Sequence, residues 1–317
     1  MSVVILGAGG SGTLDPIIGA LQKQTIASDL EVILVGTEPH ALVKEEHLSV
    51  FAARQYIRYT VHPSTSEARV RGVKAARTPV VCFVEDHCFP EPGWAEALLK
   101  RHKEDWSGVG PALLNANPTS ATSWVNFLVE YGDWAYPIAA GAVSHIPGHN
   151  SSYKRDALLS LEPHLAELME AESTMQWKMR DFGHEFFVEP EAQVRHYNFS
   201  RFLPSIRLRF FGGWLFAANR FSQGDPKRWL YFLASPAIPG VRLCKVLSAC
   251  RRMGKRLSWI AARLPAIIFF LLADGLGETF GYATGWSGKA MAECSDSEVH
   301  RPRFLTTEDQ QAFHQLS

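Results

Sequence analysis

Cysteine pairing is what this chain most plainly lacks. Its 317 residues include five cysteines, Cys82, Cys88, Cys244, Cys250 and Cys294, an odd number with no Cys-x-x-Cys spacing. That argues against a disulfide framework and against a zinc ribbon, and leaves free thiols in a reducing cytoplasm as the expectation. No secretory leader is expected either, because Met1-Ser-Val-Val-Ile-Leu6 reads as entering a strand with no basic segment or cleavage site. No stretch reaches the ~18–20 uninterrupted apolar residues of a spanning helix. The nearest run, Leu264 to Ala273, ends at Asp274, and the run from Trp229 to Val241 is broken by Pro236 and Pro239. Internal repeats and low-complexity tracts are absent as well. Net charge is also lacking, since 32 Lys+Arg face 32 Asp+Glu. A nucleic-acid binder is usually basic overall, so no nucleic-acid partner is expected.

What is present is a globular composition, 46% hydrophobic and 20% charged, which excludes disorder, collagen and coiled coil. The charge is unevenly placed. Residues 1–200 hold 16 basic and 24 acidic residues, and residues 201–317 hold 16 and 8. Within 201–263 there are 13 basic residues and one acid, Asp225.

Read in order, Val3 to Leu6 is a short apolar run of the buried parallel-strand type. A helix follows over about 14–24, a strand over 31–35, a helix over 40–55 and a third strand over 57–61. Ser64 to Ala76 reads as a helix with Ser64 or Ser66 as N-cap and Glu67 in its first turn. Residues 78–86 form the clearest strand, apolar and ending in two acids, and Trp94 to Lys103 is the next helix. This alternation predicts an open, mostly parallel sheet with helices on both faces. Such sheets bind ligands at the carboxyl ends of their strands. Residues 106–150 read as irregular, 156–172 as helical with a break at Pro163, and 186–194 as a late strand. Beyond 200 the pattern is helical and basic.

Two local motifs carry chemistry. Gly7-Ala-Gly9-Gly-Ser-Gly12 matches the glycine loop of a dinucleotide fold, with Glu38 near the end of the second strand. Taken alone it fits any nucleotide-binding α/β protein, a nicotinamide-dependent oxidoreductase among them. Glu85-Asp86-His87 places three ligating side chains at the end of a buried strand. A dehydrogenase has no need of them, whereas an enzyme that expels a diphosphate uses Mg²⁺ or Mn²⁺ held by such groups.

Several segments in order then resemble glycosyltransferase family 2, whose fold is GT-A. Ala68-Arg69-Val-Arg71-Gly72 is similar to the family's Ala-Arg-Asn-x-Gly helix, and Glu85-Asp86-His87 falls on its Asp-x-Asp position. Gly148-His-Asn150-Ser-Ser-Tyr-Lys154-Arg155 resembles the acceptor-side segment, Glu172 to Met179 the helix that carries the catalytic carboxylate, and Val194-Arg-His196 a late Val-x-His. The resemblance implies a GT-A α/β domain over 1–220, with a nucleotide half of about 1–105 and an acceptor half of 106–220, followed by a helical region over 221–317. It implies an inverting transferase that moves a sugar from a nucleoside-diphosphate sugar to a hydroxyl of a glycan or lipid-linked glycan. In that scheme Gly7, Gly9, Glu38, Arg69, Glu85 and Asp86 bind the donor, and Asp86, His87 and His196 hold Mn²⁺ or Mg²⁺. Asn150, Lys154 and Trp177 line the acceptor site, and Glu172 is the general base. The chain departs from the pattern where Gly36-Thr37 replaces an acidic pair and where Glu-x-His replaces Asp-x-Asp. A non-catalytic scaffold that keeps the fold is the other alternative.

From Arg242 to Arg263 seven basic residues and no acid alternate with Leu, Val, Ile and Trp259. That pattern predicts a helix lying on an anionic membrane surface, peripheral on the inner face of the cell membrane. Packing on the catalytic domain or at an oligomer contact is the alternative.

Overall fold

The computed structural model describes residues 1–6, 14–38, 43–60, 64–170, 172–221 and 224–314, without the side chains of 172, 298, 299 and 314. The chain divides into two compact units: Met1–Leu114 with Tyr136–His196, and Asn115–Ala135 with residues 197–314.

The first unit is an α/β layer structure around one nine-stranded sheet. Its strands are β1 (Ser2–Leu6), β2 (Glu31–Gly36), β3 (Ala53–Arg58), β4 (Val80–Val84), β5 (Cys88–Pro90), β6 (Gly108–Asn115), β7 (Gly141–Val143), β8 (Ser152–Lys154) and β9 (Phe186–His196). The order is β3-β2-β1-β4-β8-β6-β9-β5, with β7 on β9. β1, β2 and β4 are Val- and Ile-rich and almost wholly buried, as strands covered on both faces must be. They and β3 are parallel, with Val4 opposite Ile33 on one side and Phe83 on the other. Beyond β4 the pairings of β8 with β4 and β6, and of β9 with β5 and β7, are antiparallel, so the sheet is mixed.

The helices of this unit are α1 (Asp15–Gln22), α2 (Thr65–Ala75), α3 (Trp94–Arg101), α5 (Arg155–Leu159), α6 (Leu165–Met169) and α7 (Glu172–Asp181). Ser64 caps α2, its hydroxyl accepting from Glu67 N at 3.2 Å, as expected for a Ser-x-x-Glu start. α2 lies close on β1 because Gly72 faces Val4 with no side chain between them.

Two expectations are corrected. Residues 40–55 are not one helix: a short 3₁₀ turn at Glu45–Leu48 precedes β3, which starts at Ala53 and not at 57. As the edge strand, β3 tolerates Arg54, Gln55 and Arg58, which hid it from an apolar-run reading. Residues 106–150 are not irregular either, since they contain β6, β7 and α4 (Ala121–Tyr131). The compact units part after His196, and α4 groups with the C-terminal helices.

The second unit is helical: α4, α8 (Phe202–Arg220), α9 (Lys227–Ala234), α10 (Ile238–Arg252), α11 (Leu257–Thr284), α12 (Gly288–Val299) and α13 (Thr307–His314). Asn126 of α4 donates to Phe199 O at 2.9 Å and to Ser205 Oγ at 3.0 Å, and Trp124 meets Trp259 edge to face at 5.4 Å. The basic run is largely engaged within this unit. Lys245 pairs with Asp133 at 2.9 Å, and Arg252 donates to the carbonyls of Gly132 at 2.6 Å and Ala135 at 3.1 Å. Lys255 and Arg263 sit over the Trp259 ring at 4.9 and 3.9 Å.

Candidate functional site

The acidic strand end is built by a tight turn and one distant strand pairing. β4 runs out at Val84, and Glu85, Asp86 and His87 form a turn closed by Cys88 N donating to Glu85 O at 3.1 Å. The chain then enters β5, whose antiparallel register puts Cys88 opposite His196 of β9. Glu85, His87, Cys88 and His196 thereby converge, with their ligand atoms within 4.8 Å of one another. His87 Nε2 is 3.1 Å from Glu85 Oε2 and 3.2 Å from His196 Nε2, and His196 Nε2 is 4.0 Å from that carboxylate. Cys88 Sγ lies 3.7 Å from Glu85 Oε2. Both imidazoles and the thiol are buried.

Asp86 stands behind this group. Its Oδ1 is 2.9 Å from His87 Nδ1, so the Nδ1–H bond to the carboxylate leaves the Nε2 lone pair facing Glu85 and His196. Asp86, expected from the sequence as a ligand, has its Oδ1 on the Nδ1 side of the His87 ring, away from the Nε2 that meets Glu85 and His196. Burial alone would raise the Glu85 carboxyl; the His149 and His87 rings oppose it and hold it well below the usual carboxylate range.

Arg69 and Asn150 are brought to the same place. His149 Nδ1 is 2.9 Å from Glu85 Oε1 and 3.3 Å from an Arg69 nitrogen. The Arg69 guanidinium carbon lies 5.6 Å from the centre of the Phe83 ring. Asn150 adopts a left-handed φ of 61°, a region Asn tolerates better than most residues. Its amide donates to Phe83 O at 2.7 Å and its carbonyl accepts from Trp94 Nε1 at 3.3 Å. The side-chain Oδ1 is buried and has no hydrogen-bond partner among the described residues, an acceptor left for something else.

Other expected residues are placed apart or fall outside view. Gly7 and Gly9 lie outside the described residues. Glu38 is exposed after β2 and pairs with Arg58. Glu172 opens α7, and its side chain lies outside the described residues. One turn later Gln176 pins that helix, accepting from Ile146 N at 2.9 Å and donating to Tyr153 Oη at 2.9 Å. Trp177 is half-buried on α7. Lys154 is not brought to the group. It pairs with Val80 at the opposite end of β4, on an open cleft of about 710 Å³ that His102, Ser107 and Phe182 also line.

Sequence reasoning missed His149 as the link between Arg69 and Glu85, and Cys88 as a member of the cluster. Cys88 follows Glu85-Asp86-His87 directly, so a scan for soft donors beside the acids finds it.

The donor set fits a divalent transition ion. Ligands about 2.0–2.1 Å from a tetrahedral centre lie about 3.3 Å apart, close to the 3.1 and 3.2 Å separations measured at His87 Nε2. Two imidazoles and a thiol suit a divalent ion softer than Mg²⁺, which takes oxygen ligands.

The sequence profile of glycosyl transferase family 2 matches residues 3–161, which is β1 through α5 and half of the chain. The chain belongs to that family. The alternative of a nicotinamide-dependent oxidoreductase therefore falls away, and the mixed sheet with its helices is the GT-A-like α/β fold. Among solved structures, TarS of S. aureus is similar at 14% identity and a TM-score of 0.46, over 87% of this chain and 54% of that one. A structure of GalNAc-T7 with UDP, GalNAc and Mn²⁺ is similar at 14% identity and a TM-score of 0.45, over 71% of this chain and 51% of that one. The chain thus spans about half the length of these structures. No curated protein matches it.

Proposed function

We propose that this family 2 chain transfers a sugar from a nucleoside-diphosphate sugar to a hydroxyl of a glycan or lipid-linked glycan, with inversion at the anomeric carbon. The observation that carries the reading is the convergence of Glu85, His87 and His196 at the carboxyl end of β4, beside the Arg69 guanidinium. A divalent ion held by these residues would neutralise charge on the departing diphosphate. Asp86 keeps the His87 tautomer that can serve such an ion. Arg69 offers a fixed positive charge to phosphate, and Asn150 Oδ1 offers a buried acceptor to a sugar or ribose hydroxyl. Glu172 takes the acceptor proton as the anomeric carbon is attacked, the general-base role an inverting transfer requires. A cytoplasmic location at the membrane belongs to the same proposal; two helical segments, 227–252 and Leu257–Thr284, are long and apolar enough to enter a bilayer.

The test is thermal unfolding of the full chain with UDP-, GDP- and dTDP-sugars, each with and without Mn²⁺. A ligand at 100 times its Kd stabilises by about 2.7 kcal/mol, so the matching donor raises the midpoint by several degrees, more with the ion than without it. Indifference to every donor in the presence of Mn²⁺ overturns the proposal.

A further inference from the structure

The helical hairpin of the second unit is polar inside and apolar outside. α11 is 28 residues, about 42 Å at 1.5 Å per residue, and carries three charges, Arg263, Asp274 and Glu278. None of them is at an exposed position. Asp274 and Glu278 are buried and both pair with Arg242 of α10, Asp274 Oδ2 at 3.0 Å. Arg263 folds back on Trp259, 3.2 Å from its carbonyl. The interior also holds the Ser235–Thr279 hydroxyl pair at 2.7 Å and Arg228 donating to Tyr282 O at 2.9 Å. These contacts run antiparallel between α9–α10 and α11.

The outward face is the reverse. Ile268, Phe269, Leu272, Leu276 and Phe280 form an exposed stripe along α11, and no exposed position between Leu257 and Thr284 is charged. On the other arm no exposed position from Trp229 to Cys244 is charged, and Leu230, Leu233 and Val241 are more than half exposed. A helix on the surface of a water-soluble domain turns its charges outward and its apolar stripe inward; this pair does the opposite at every charged residue between Trp229 and Cys244 and along α11. Charge brackets the apolar stretch, with Lys227 and Arg228 at one end and, at the other, exposed Lys245 paired with Asp133 and then Arg251, Arg252 and Arg256 toward the turn. Exposed Trp229 and Trp286 sit at the Lys227 end.

The backbone packing agrees. A Cβ on Gly213, Gly277 or Gly281 would overlap the carbonyl oxygen of Asp274, Phe210 or Trp214 respectively, so α8 and α11 meet backbone to backbone. Close small-residue crossings of this kind hold helices together where no water drives apolar faces into contact.

We infer that the hairpin of α9, α10 and α11 is embedded in the hydrocarbon layer of a lipid bilayer through this uncharged face, with the Arg242–Asp274–Glu278 cluster shielded in its interior. The uncharged exposed positions of α11 from Ala261 to Phe280 span about 30 Å, the thickness of that layer. The mode differs from a basic helix resting on anionic headgroups, because most of the basic residues that would do so are engaged within the unit. The inference deepens the membrane location proposed above and is independent of the transfer reaction, since it rests on the second unit alone.

The experiment reconstitutes the full chain with neutral phosphatidylcholine vesicles and with vesicles containing anionic lipid, followed by flotation at 0.1 and 1 M salt. Embedding predicts equal recovery with both lipids and no release by salt. Leu272→Asp and Leu276→Asp each place a charge in the stripe and lower recovery by roughly a hundredfold if mid-bilayer. Helicity by circular dichroism and the donor-induced thermal shift check that each variant is folded, and a retained shift also separates this result from the fate of the transferase proposal. Salt-labile binding restricted to anionic vesicles overturns the inference in favour of a headgroup contact. A detergent-free dimer that Leu272→Asp dissociates, with no vesicle binding, overturns it in favour of a second copy covering the face. A soluble monomer overturns it outright.

Discussion

Asp86 and His87 divide one task between them: the imidazole presents an electron pair, and the carboxylate behind it decides which nitrogen has that pair. Losing such an outer partner typically costs 10–100-fold in metal affinity. Asp86→Asn should therefore weaken Mn²⁺ binding by about that factor while the unfolding midpoint without metal barely moves; titration calorimetry reads the affinity and a thermal melt the midpoint, and unchanged affinity would remove Asp86 from the site. Glu172→Gln belongs to the same scale. It keeps the shape and removes the proton acceptor, so turnover should fall roughly 10²–10⁴-fold with donor affinity nearly constant. Collapse of donor binding instead would reassign Glu172 to the nucleotide. Glu85, Asp86 and His87 were legible in the sequence because they are contiguous and end an apolar run. His196 was legible only through its resemblance to a family position, since nothing local couples it to residues 109 places earlier. Lys154 illustrates a related limit of local reading: His149 and Asn150, earlier in the same motif, reach the Glu85 group, but the antiparallel register of β8 carries Lys154 to the other end of β4.

Among the elements, α2 shows what a single missing methyl does. A Cβ at Gly72 would stand 2.5 Å from Val4 Cγ1, and Val4 is a stiff, fully buried strand residue that cannot turn aside. Helix propensity favours Ala over Gly by about 1 kcal/mol, but overpacking a core costs typically 1–3. Gly72→Ala should thus destabilise by about 1 kcal/mol in chemical denaturation, and Val4→Ala in the same chain should recover part of that loss. Additive losses in the double variant would mean the two residues are not the contact in question. Elements with a strong local signature were read correctly from sequence, as with the Ser64 cap of α2 and the Val-rich β1, β2 and β4. Those missed carry mixed polarity. β3 is an edge strand with two arginines, and α11 was cut short at Asp274 because a charge in an apolar run looks like an ending unless the partner, Arg242, is known.

For the whole molecule, acid sensitivity has an identifiable contributor. His102 is buried, which drives its imidazole down to about 4, and its Nε2 lies 2.8 Å from Ser152 Oγ. Between pH 6.5 and 4 the unfolded chain binds a proton here that the folded chain refuses, so stability falls as pH falls through that window and is fully present above 6.5. The contribution is about 3 kcal/mol across the whole window. Unfolding of wild type and His102→Gln at pH 7 and 4.5 isolates it: the loss between the two pH values should be smaller in the variant by about 2–3 kcal/mol, and an identical loss would place the acid sensitivity elsewhere.

The position of β4 in the sheet also sets a timescale. It is hydrogen-bonded on both sides, to β1 along Val81 to Val84 and to β8 along Val80 to Cys82, whereas among the described residues β3 has one neighbour and lies at the sheet edge. Backbone amides released only by global opening exchange with deuterium last, and those at a fraying edge exchange early. The strand that presents Glu85 should therefore be among the slowest-exchanging segments of its unit, and β3 among the fastest. The acid that the proposed chemistry depends on would then be held in place for as long as the unit stays folded, whatever its margins are doing.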